Sequence, residues 1–542
     1  MSDVVFFAVN ENINNHDCEN LGFEILKDRL VKRDISTVIY HIQVDKFENM
    51  DIEKIAKKII ELNPHMVGMA ITYRDVKLHC KLAEKIKSKN PHIHITAGGA
   101  LASHASVELL SHCKYIDSAI IGEGELIIAN LANSLLQNRD LNRCQGIAWR
   151  NENKIITNDL PKEVVQLNEN ICIEREMISN NDLRWARIET GRGCAGRCTF
   201  CAESRTYTIN GHKSWRSKSP DMVMKEISYL INTYNIKAFG ITDNAFEGVG
   251  EEGKKRLREI CQRIIQANLN IYFTALFRAD SFNEKDYDLI LLLKKAGLVN
   301  VFIGAESGYE QTMRIFGKRA TVSQTQKAIN LFTKAKIAVL VGFIMFQPYS
   351  SLEESRANVI LLDKIKQAHR FSLYQHRLML FHGTPLLEKL TREGLLSDDF
   401  SIMNPYGYKI KDTASKWLVE RIGEYGTFTK IPKEVYVLQN YCEFIATLIA
   451  KISKDKKIWT SSEKLFSDYE EVRESISEIY INFLNEAIDI AATSKSDMQF
   501  ELLKKEKLDI KLISRKLQLL QGSVMRFIAS NRTNKENVNS LF

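Results

Sequence analysis

Gly191-Arg192-Gly193-Cys194-Ala195-Gly196-Arg197-Cys198-Thr199-Phe200-Cys201-Ala202-Glu203 is the stretch whose reading decides the fold. The segment before it, Trp185 to Thr190, reads as a short strand, so the cysteines fall on a loop leaving a strand end. Three cysteines at C-x3-C-x2-C spacing, on a backbone that glycine lets turn tightly, can bring three sulfurs to one point. Thiolate sulfur suits iron–sulfur clusters and zinc, not calcium or magnesium. Zinc sites usually show two C-x2-C pairs or cysteines with histidines at fixed spacing, and neither pattern occurs. A cubane cluster normally takes four cysteines, so three would leave one iron open to a small molecule. The plain alternative is three unrelated thiols on a Gly-rich loop.

With aromatic Phe200 just before the last cysteine, this spacing resembles the radical S-adenosylmethionine (radical SAM) superfamily. The resemblance implies a [4Fe-4S] cluster on Cys194, Cys198 and Cys201. It implies S-adenosylmethionine (SAM) chelated at the open iron and cleaved reductively to a 5′-deoxyadenosyl radical. A reducing partner such as flavodoxin or ferredoxin goes with it.

Composition agrees with such an enzyme without requiring it. At 542 residues the chain exceeds one core, and about three or four domains are expected. Hydrophobic and charged fractions of 44% and 26% are those of an ordinary globular protein. No apolar run approaches membrane-spanning length, and Met1-Ser2-Asp3-Val4 lacks a basic signal-peptide start, so a cytoplasmic protein with no membrane partner is expected. Ten cysteines then argue for reduced thiols and a metal site, not a disulfide frame. The net charge of +8 comes from lysines interspersed with glutamates and does not call for nucleic acid.

Residues 1–140 alternate apolar runs (Val4 to Val9, Ser36 to Tyr40, Met66 to Ile71, His92 to Ala97, Tyr115 to Ile121) with helical patterns. This predicts an α/β, doubly wound, Rossmann-like domain with its ligand beyond the carboxyl strand ends. Ala97-Gly98-Gly99-Ala100 and Gly122-Glu123-Gly124-Glu125 end two of the strands; Gly98 and Gly99 leave backbone bare for a flat ligand or a phosphate. Ahead of a radical SAM core, these stretches resemble the cobalamin-binding domain of the cobalamin-dependent branch. That implies cobalamin near Gly98, Gly99, Gly122 and Glu123. The Asp-x-His-x-x-Gly motif of mutase-type domains is matched only by Asp17-Cys18-Glu19-Asn20-Leu21-Gly22, with glutamate in place of the cobalt-ligating histidine. His92 and His94 alternate along a strand and read as structural; His16 reads as a solvated loop residue.

Residues 141–184 read as a hairpin and connector, with strands Gly146 to Arg150 and Lys154 to Thr157. In 185–400, six strands with helical crossovers predict a partial (β/α)6 barrel, the last two strands being Ile337 to Phe346 and Phe371 to Leu380. Polar residues cluster at the strand ends. Thr242-Asp243-Asn244-Ala245-Phe246 and Gly304-Ala305-Glu306-Ser307-Gly308 resemble radical SAM motifs, and Phe381-His382-Gly383-Thr384-Pro385 resembles the family's Pro-Gly-Thr-Pro. The resemblance implies Phe200 at the adenine side of SAM, Glu306, Ser307 and Asn244 at the ribose or methionine end, and Arg278 at the carboxylate. Salt bridges and caps are the alternative reading of each. Residues 401–542 read as an all-helical domain, from faces such as Val435, Leu438, Cys442 and Ile445, then Val472, Ile476, Ile479 and Phe483.

The function expected is a cobalamin-dependent radical SAM enzyme methylating an unactivated carbon of a natural-product or metabolite substrate, a small molecule or peptide. The alternatives are a radical rearrangement, cyclisation or epimerisation without methyl transfer, and an iron–sulfur binding or redox-sensing protein. No acid–base catalytic residue is demanded, and the sequence marks none.

Overall fold

The computed structural model describes residues 2–11, 19–44, 50–181, 183, 185–209, 214–422, 456–508 and 510–530. Two compact units form: residues 1–256 with 380–407, and residues 257–379 with 408–542.

The first unit opens with seven strands: β1 (Val4–Glu11), β2 (Thr37–Val44), β3 (Met66–Ala70), β4 (His94–Gly98), β5 (Ser118–Ile120), β6 (Ile147–Asn151) and β7 (Lys154–Thr157). Their order is β2-β1-β3-β4-β5-β6-β7, with β1 to β5 parallel and β6 and β7 antiparallel. Val4, Val5, Phe6, Phe7 and Ala8 of β1 are all buried, as a central strand covered on both faces requires. The doubly wound expectation therefore holds, and the strand order reverses between β1 and β3, where such folds place ligands. The hairpin expected in the connector does form, but β6 pairs with β5 and extends the sheet.

Cys80 and Cys113 form a disulfide, with Cα atoms 5.2 Å apart, against the expectation of reduced thiols throughout. The helices Val76–Lys89 and Ser106–His112 pack into the same core and bring the two residues together. Cys18, His16 and Asp17 lie outside the described residues, as does Cys442.

Further along the first unit come β8 (Trp185–Ile188), β9 (Gly191–Gly193), β10 (Trp215–Ser217) and β11 (Ala238–Ile241). Strand β8 pairs in parallel with β11, and β9 and β10 form an antiparallel ribbon. The helix Pro220–Tyr234 begins as its sequence dictates: the Ser219 hydroxyl accepts from the Met222 amide at 3.3 Å, and proline stands in the first turn.

The second unit holds β12 (Tyr272–Phe277), β13 (Leu298–Glu306) and β14 (Ala338–Phe343), paired in parallel. Among the described residues, two parallel strands in the first unit, β8 and β11, and three in the second, β12 to β14, thus answer to the six expected. Phe371 to Leu380 is not the sixth: Phe371–Gln375 is a short helix, and only the bridge of Phe346 with Arg377 remains of the strand. An apolar run of that length fits a buried helix as well as a strand, and packing chose the helix. The expected helical region is seen in Thr413–Ile422, Lys456–Thr493, Asp497–Lys507 and Ile510–Ser530, with Ile476 and Phe483 buried. The face from Val435 to Ile452 lies outside the described residues.

Candidate functional site

The cysteine loop is set by what precedes it. Gly193 has φ +86°, and a Cβ there would run into the Ser214 carbonyl, so only glycine lets β9 pair with β10. Cys194, Cys198 and Cys201 follow, all half-buried and outside any disulfide. The Gly196 amide donates to the Cys194 Sγ at 3.3 Å, and the Cys201 amide to the Cys198 carbonyl at 3.3 Å. Phe200 is half-buried on the same loop. The Thr199 carbonyl accepts from the Leu386 amide at 2.9 Å, which ties the loop to the helix Pro385–Arg392.

Asn244 reaches this loop, its amide donating to Glu203 Oε2 at 3.2 Å. Its neighbour Asp243 is buried behind the strand end. It accepts from the Thr190 amide at 2.7 Å and the Thr190 hydroxyl at 2.5 Å, and burial pushes its carboxyl up to about 6.

Glu123 does not sit free at the end of its strand. Arg192 of β9 donates to Glu123 at 2.8 Å, to Glu189 at 2.6 Å and to Glu125. Arg216, directly opposite Arg192 across the ribbon, donates to Glu123 at 2.6 Å. Burial would raise Glu125, but the Arg192 guanidinium overrides it and holds the carboxyl below its ordinary value. Gly122, with φ +88°, is the turn that carries Glu123 there, and a small cavity beside it is lined by Glu123, Thr206, Tyr207 and Ile209.

At the end of β4 the backbone is bare, as expected. Gly99 has φ +97°, and a Cβ on Gly98 would meet nothing within 4 Å. Nearby stands a cluster the sequence did not announce. The Tyr73 hydroxyl lies 2.7 Å from His382 Nδ1 and accepts from the His382 amide at 2.9 Å, while His382 Nε2 lies 2.6 Å from Glu108. Burial raises Tyr73, and the bond from His382 lowers Glu108. In Phe381-His382-Gly383-Thr384-Pro385, His382 stands where the family's Pro-Gly-Thr-Pro has its first proline; that departure was the only signal available. Gly383 packs where any Cβ would press on His104 Nδ1. His94 bonds to Ser118 at 2.8 Å, in keeping with its structural reading.

Glu19, standing in the histidine position of the cobalt motif, is buried and committed elsewhere. It accepts from Arg175 at 2.8 Å and from the Arg187 amide at 2.9 Å.

The remaining residues lie in the second unit. Arg278 donates to Asp280 at 3.0 Å and to Ser281 at 2.9 Å. Glu306 has φ +62°, uncommon for a residue with a Cβ, and pairs with Lys318 at 3.1 Å. Ser307 is fully buried; its hydroxyl donates to Asn358 at 2.9 Å, in a network with Glu354, Thr312 and Gln347. Cys194, Cys198, Cys201, Phe200, Asn244, Gly98, Gly99, Gly122 and Glu123 thus share the first unit, and Arg278, Glu306 and Ser307 the second.

Three thiols on one loop, with no fourth cysteine in it, fit an iron–sulfur cluster by donor type. Among the described residues no three His, Cys, Asp or Glu side chains already converge as metal ligands. The backbone at Gly98, where a Cβ would meet nothing within 4 Å, leaves room for a ligand to approach. Among the described residues no helix is long and apolar enough to cross a membrane.

Residues 188–357 match the family model of the radical SAM superfamily, and residues 14–132 that of the B12 binding domain. An uncharacterised methyltransferase of Pyrococcus horikoshii is 28% identical over 324 residues, 59% of this chain and 68% of the relative. The 4'-phospho-dehydrooxetanocin synthase of Priestia megaterium is 26% identical over 381 residues, 64% of this chain and 50% of that protein. Among solved structures, the cobalamin-dependent S-adenosylmethionine radical enzyme OxsB, with aqua-cobalamin and S-adenosylmethionine bound, superposes with a TM-score of 0.67 at 19% identity, covering 98% of this chain and 81% of OxsB. The radical S-adenosylmethionine methyltransferase TsrM from Kitasatospora setae, with cobalamin and a [4Fe-4S] cluster, gives a TM-score of 0.59 at 18% identity, covering 74% of this chain and 81% of TsrM. At such identities these two likenesses establish the fold.

Proposed function

We propose that this chain, a radical SAM enzyme carrying a B12-binding domain, transfers a methyl group to an unactivated carbon of a small-molecule or peptide substrate. The observation that carries the reading is one compact unit holding both the three cysteines outside any disulfide and the bare strand end at Gly98 and Gly99. When bound, the cluster with SAM supplies a 5′-deoxyadenosyl radical, and cobalamin supplies a transferable methyl group.

The chain's own residues bind and orient. Cys194, Cys198 and Cys201 would hold three irons, and Phe200 and Asn244 would border SAM. Gly193 fixes where the loop begins, and Asp243 holds the Thr190 backbone that precedes it. Gly98 and Gly99 would lie against the corrin, with Gly122 and Glu123 at the neighbouring strand end. In the second unit, Arg278, Glu306 and Ser307 are the residues the family resemblance assigns to SAM, and Ser307 turns inward to shape the turn after Glu306. A flavodoxin- or ferredoxin-type reductant in the cytoplasm suits this chemistry.

A second reading has one observation in its favour. The relatives named 4'-phospho-dehydrooxetanocin synthase and anaerobic magnesium-protoporphyrin IX monomethyl ester cyclase bear names without methyl transfer. A radical rearrangement or cyclisation would use the same cofactors. Anoxic reconstitution with iron and sulfide, then SAM, dithionite and cobalamin, tests both. 5′-Deoxyadenosine is expected from either, and S-adenosylhomocysteine in step with product only from methyl transfer. Alanine at Cys194, Cys198 and Cys201 should abolish both products; SAM cleavage surviving in that variant would refute the site.

A further inference from the structure

We propose that Arg192 is a positioning residue that sets the charge beside the cysteine loop, in an ion-pair cluster with Glu123, Glu125, Glu189 and Arg216; this rests on the cluster-binding reading above. Arg192 stands two residues before Cys194 in the chain, on a strand whose path Gly193 fixes. Its guanidinium is shared among three carboxylates, and its side chain is only 7% exposed.

The charge count is unequal. Glu123, Glu125 and Glu189 face Arg192 and Arg216, which leaves one carboxylate in excess when all are ionised. Arg29, which also acts on Glu125, is itself matched by Glu169 at 3.0 Å. Arg197 and Arg205 on the loop are exposed, where water screens them. Glu123 Oε2, Glu189 Oε2 and Arg216 Nε are buried without a hydrogen-bond partner among the described residues.

Taking up one electron from the external reductant adds one negative charge to a cluster. A buried surplus carboxylate beside it opposes that step and lowers the reduction potential. Two of the carboxylates, Glu123 and Glu125, belong to the turn that ends β5 in the B12-binding region. The charge at the cysteine loop is therefore held from the neighbouring domain, and the loop and the turn are fastened by the same bonds.

The test is a potentiometric titration of the reduced cluster's electron paramagnetic resonance signal, on anoxically reconstituted full-length protein without substrate. Glu125→Gln is expected to raise the midpoint potential and Arg192→Gln to lower it, with Arg192→Lys returning it toward wild type. A structural lesion alone would not move the potential in opposite directions for opposite charges. Two cluster-loaded variants that leave the potential unmoved, or shift it the same way, overturn the proposal. Should Arg192→Gln fail to fold, Glu189→Gln and Arg216→Gln carry the same pair of signs. A wild type that takes up no cluster overturns both this inference and the reading beneath it. One that cleaves SAM without methylating anything sinks methyl transfer alone, because the potential is measured without an acceptor.

Discussion

Two buried ion-pair clusters in the first unit use the same kinds of side chain and differ in balance. Around Arg175, Glu19 and Glu226 each accept a guanidinium bond at 2.8 Å, and Lys218 reaches Glu226 at 2.7 Å. Two carboxylates meet two cations, all of them at most 1% exposed. Around Arg192 three carboxylates meet two guanidiniums, beside the cysteines. A matched cluster acts as a fastener, here between the start of the first domain, the connector and the helix Pro220–Tyr234. An unmatched one leaves a field for whatever sits next to it. Buried charge is costly in either case.

Breaking the matched cluster should have the largest effect. Arg175→Met would leave Glu19 and Glu226 short of a partner in the interior, and a loss of about 3–5 kcal/mol is expected in urea unfolding. Its cluster potential should match wild type; a shift as large as that of Arg192→Gln would erase the distinction drawn here.

Asp243 sharpens the comparison, because it is a buried carboxylate on the loop side held by hydrogen bonds from Thr190. Burial lifts it from an ordinary 3.8 to about 6, against the bonds from Thr190. The folded protein keeps a proton that the unfolded chain releases, so this contribution is full below about pH 4 and is lost as pH rises through about 6. Asp243→Asn should flatten that slope, which is worth about 2–3 kcal/mol. Identical stability–pH curves for the two proteins would rule the assignment out.

Gly193→Ala asks whether the ribbon itself holds the loop. The positive φ and the Ser214 carbonyl predict a loss of about 1–2 kcal/mol, with less iron bound per chain after reconstitution. Full iron content would mean the loop tolerates a shifted ribbon. The smallest change in stability, within about 0.5 kcal/mol, is expected for Gly98→Val, at a position where a Cβ would meet nothing within 4 Å. Its effect should fall on cobalamin affinity instead, and unweakened binding by equilibrium dialysis would remove Gly98 from the cofactor site.

Much of this architecture was legible in the chain. Apolar runs alternating with helical patterns gave the parallel strands, because a strand buried on both faces must be apolar throughout. Ser219-Pro220 marked a helix start, because both residues favour that position by local chemistry alone. Less legible was the fate of polar residues at strand ends. Glu123 read as a cofactor contact and pairs with Arg192 and Arg216, whose sequence distance hides the match. Ser307 read as a SAM contact and turns inward to Asn358. Tyr73, His382 and Glu108 meet across more than 270 residues of chain, as the separation of 309 between Tyr73 and His382 illustrates.

The sequence by itself determined the chemistry on offer: which side chains are thiols, where glycine frees the backbone, and where apolar periodicity demands a buried strand. These depend on atoms close together along the chain. Only the tertiary structure decided which carboxylate meets which guanidinium, and so where charge is cancelled and where it is left over. Electrostatic energy depends on distance through space and on burial, and neither is fixed until the chain has packed.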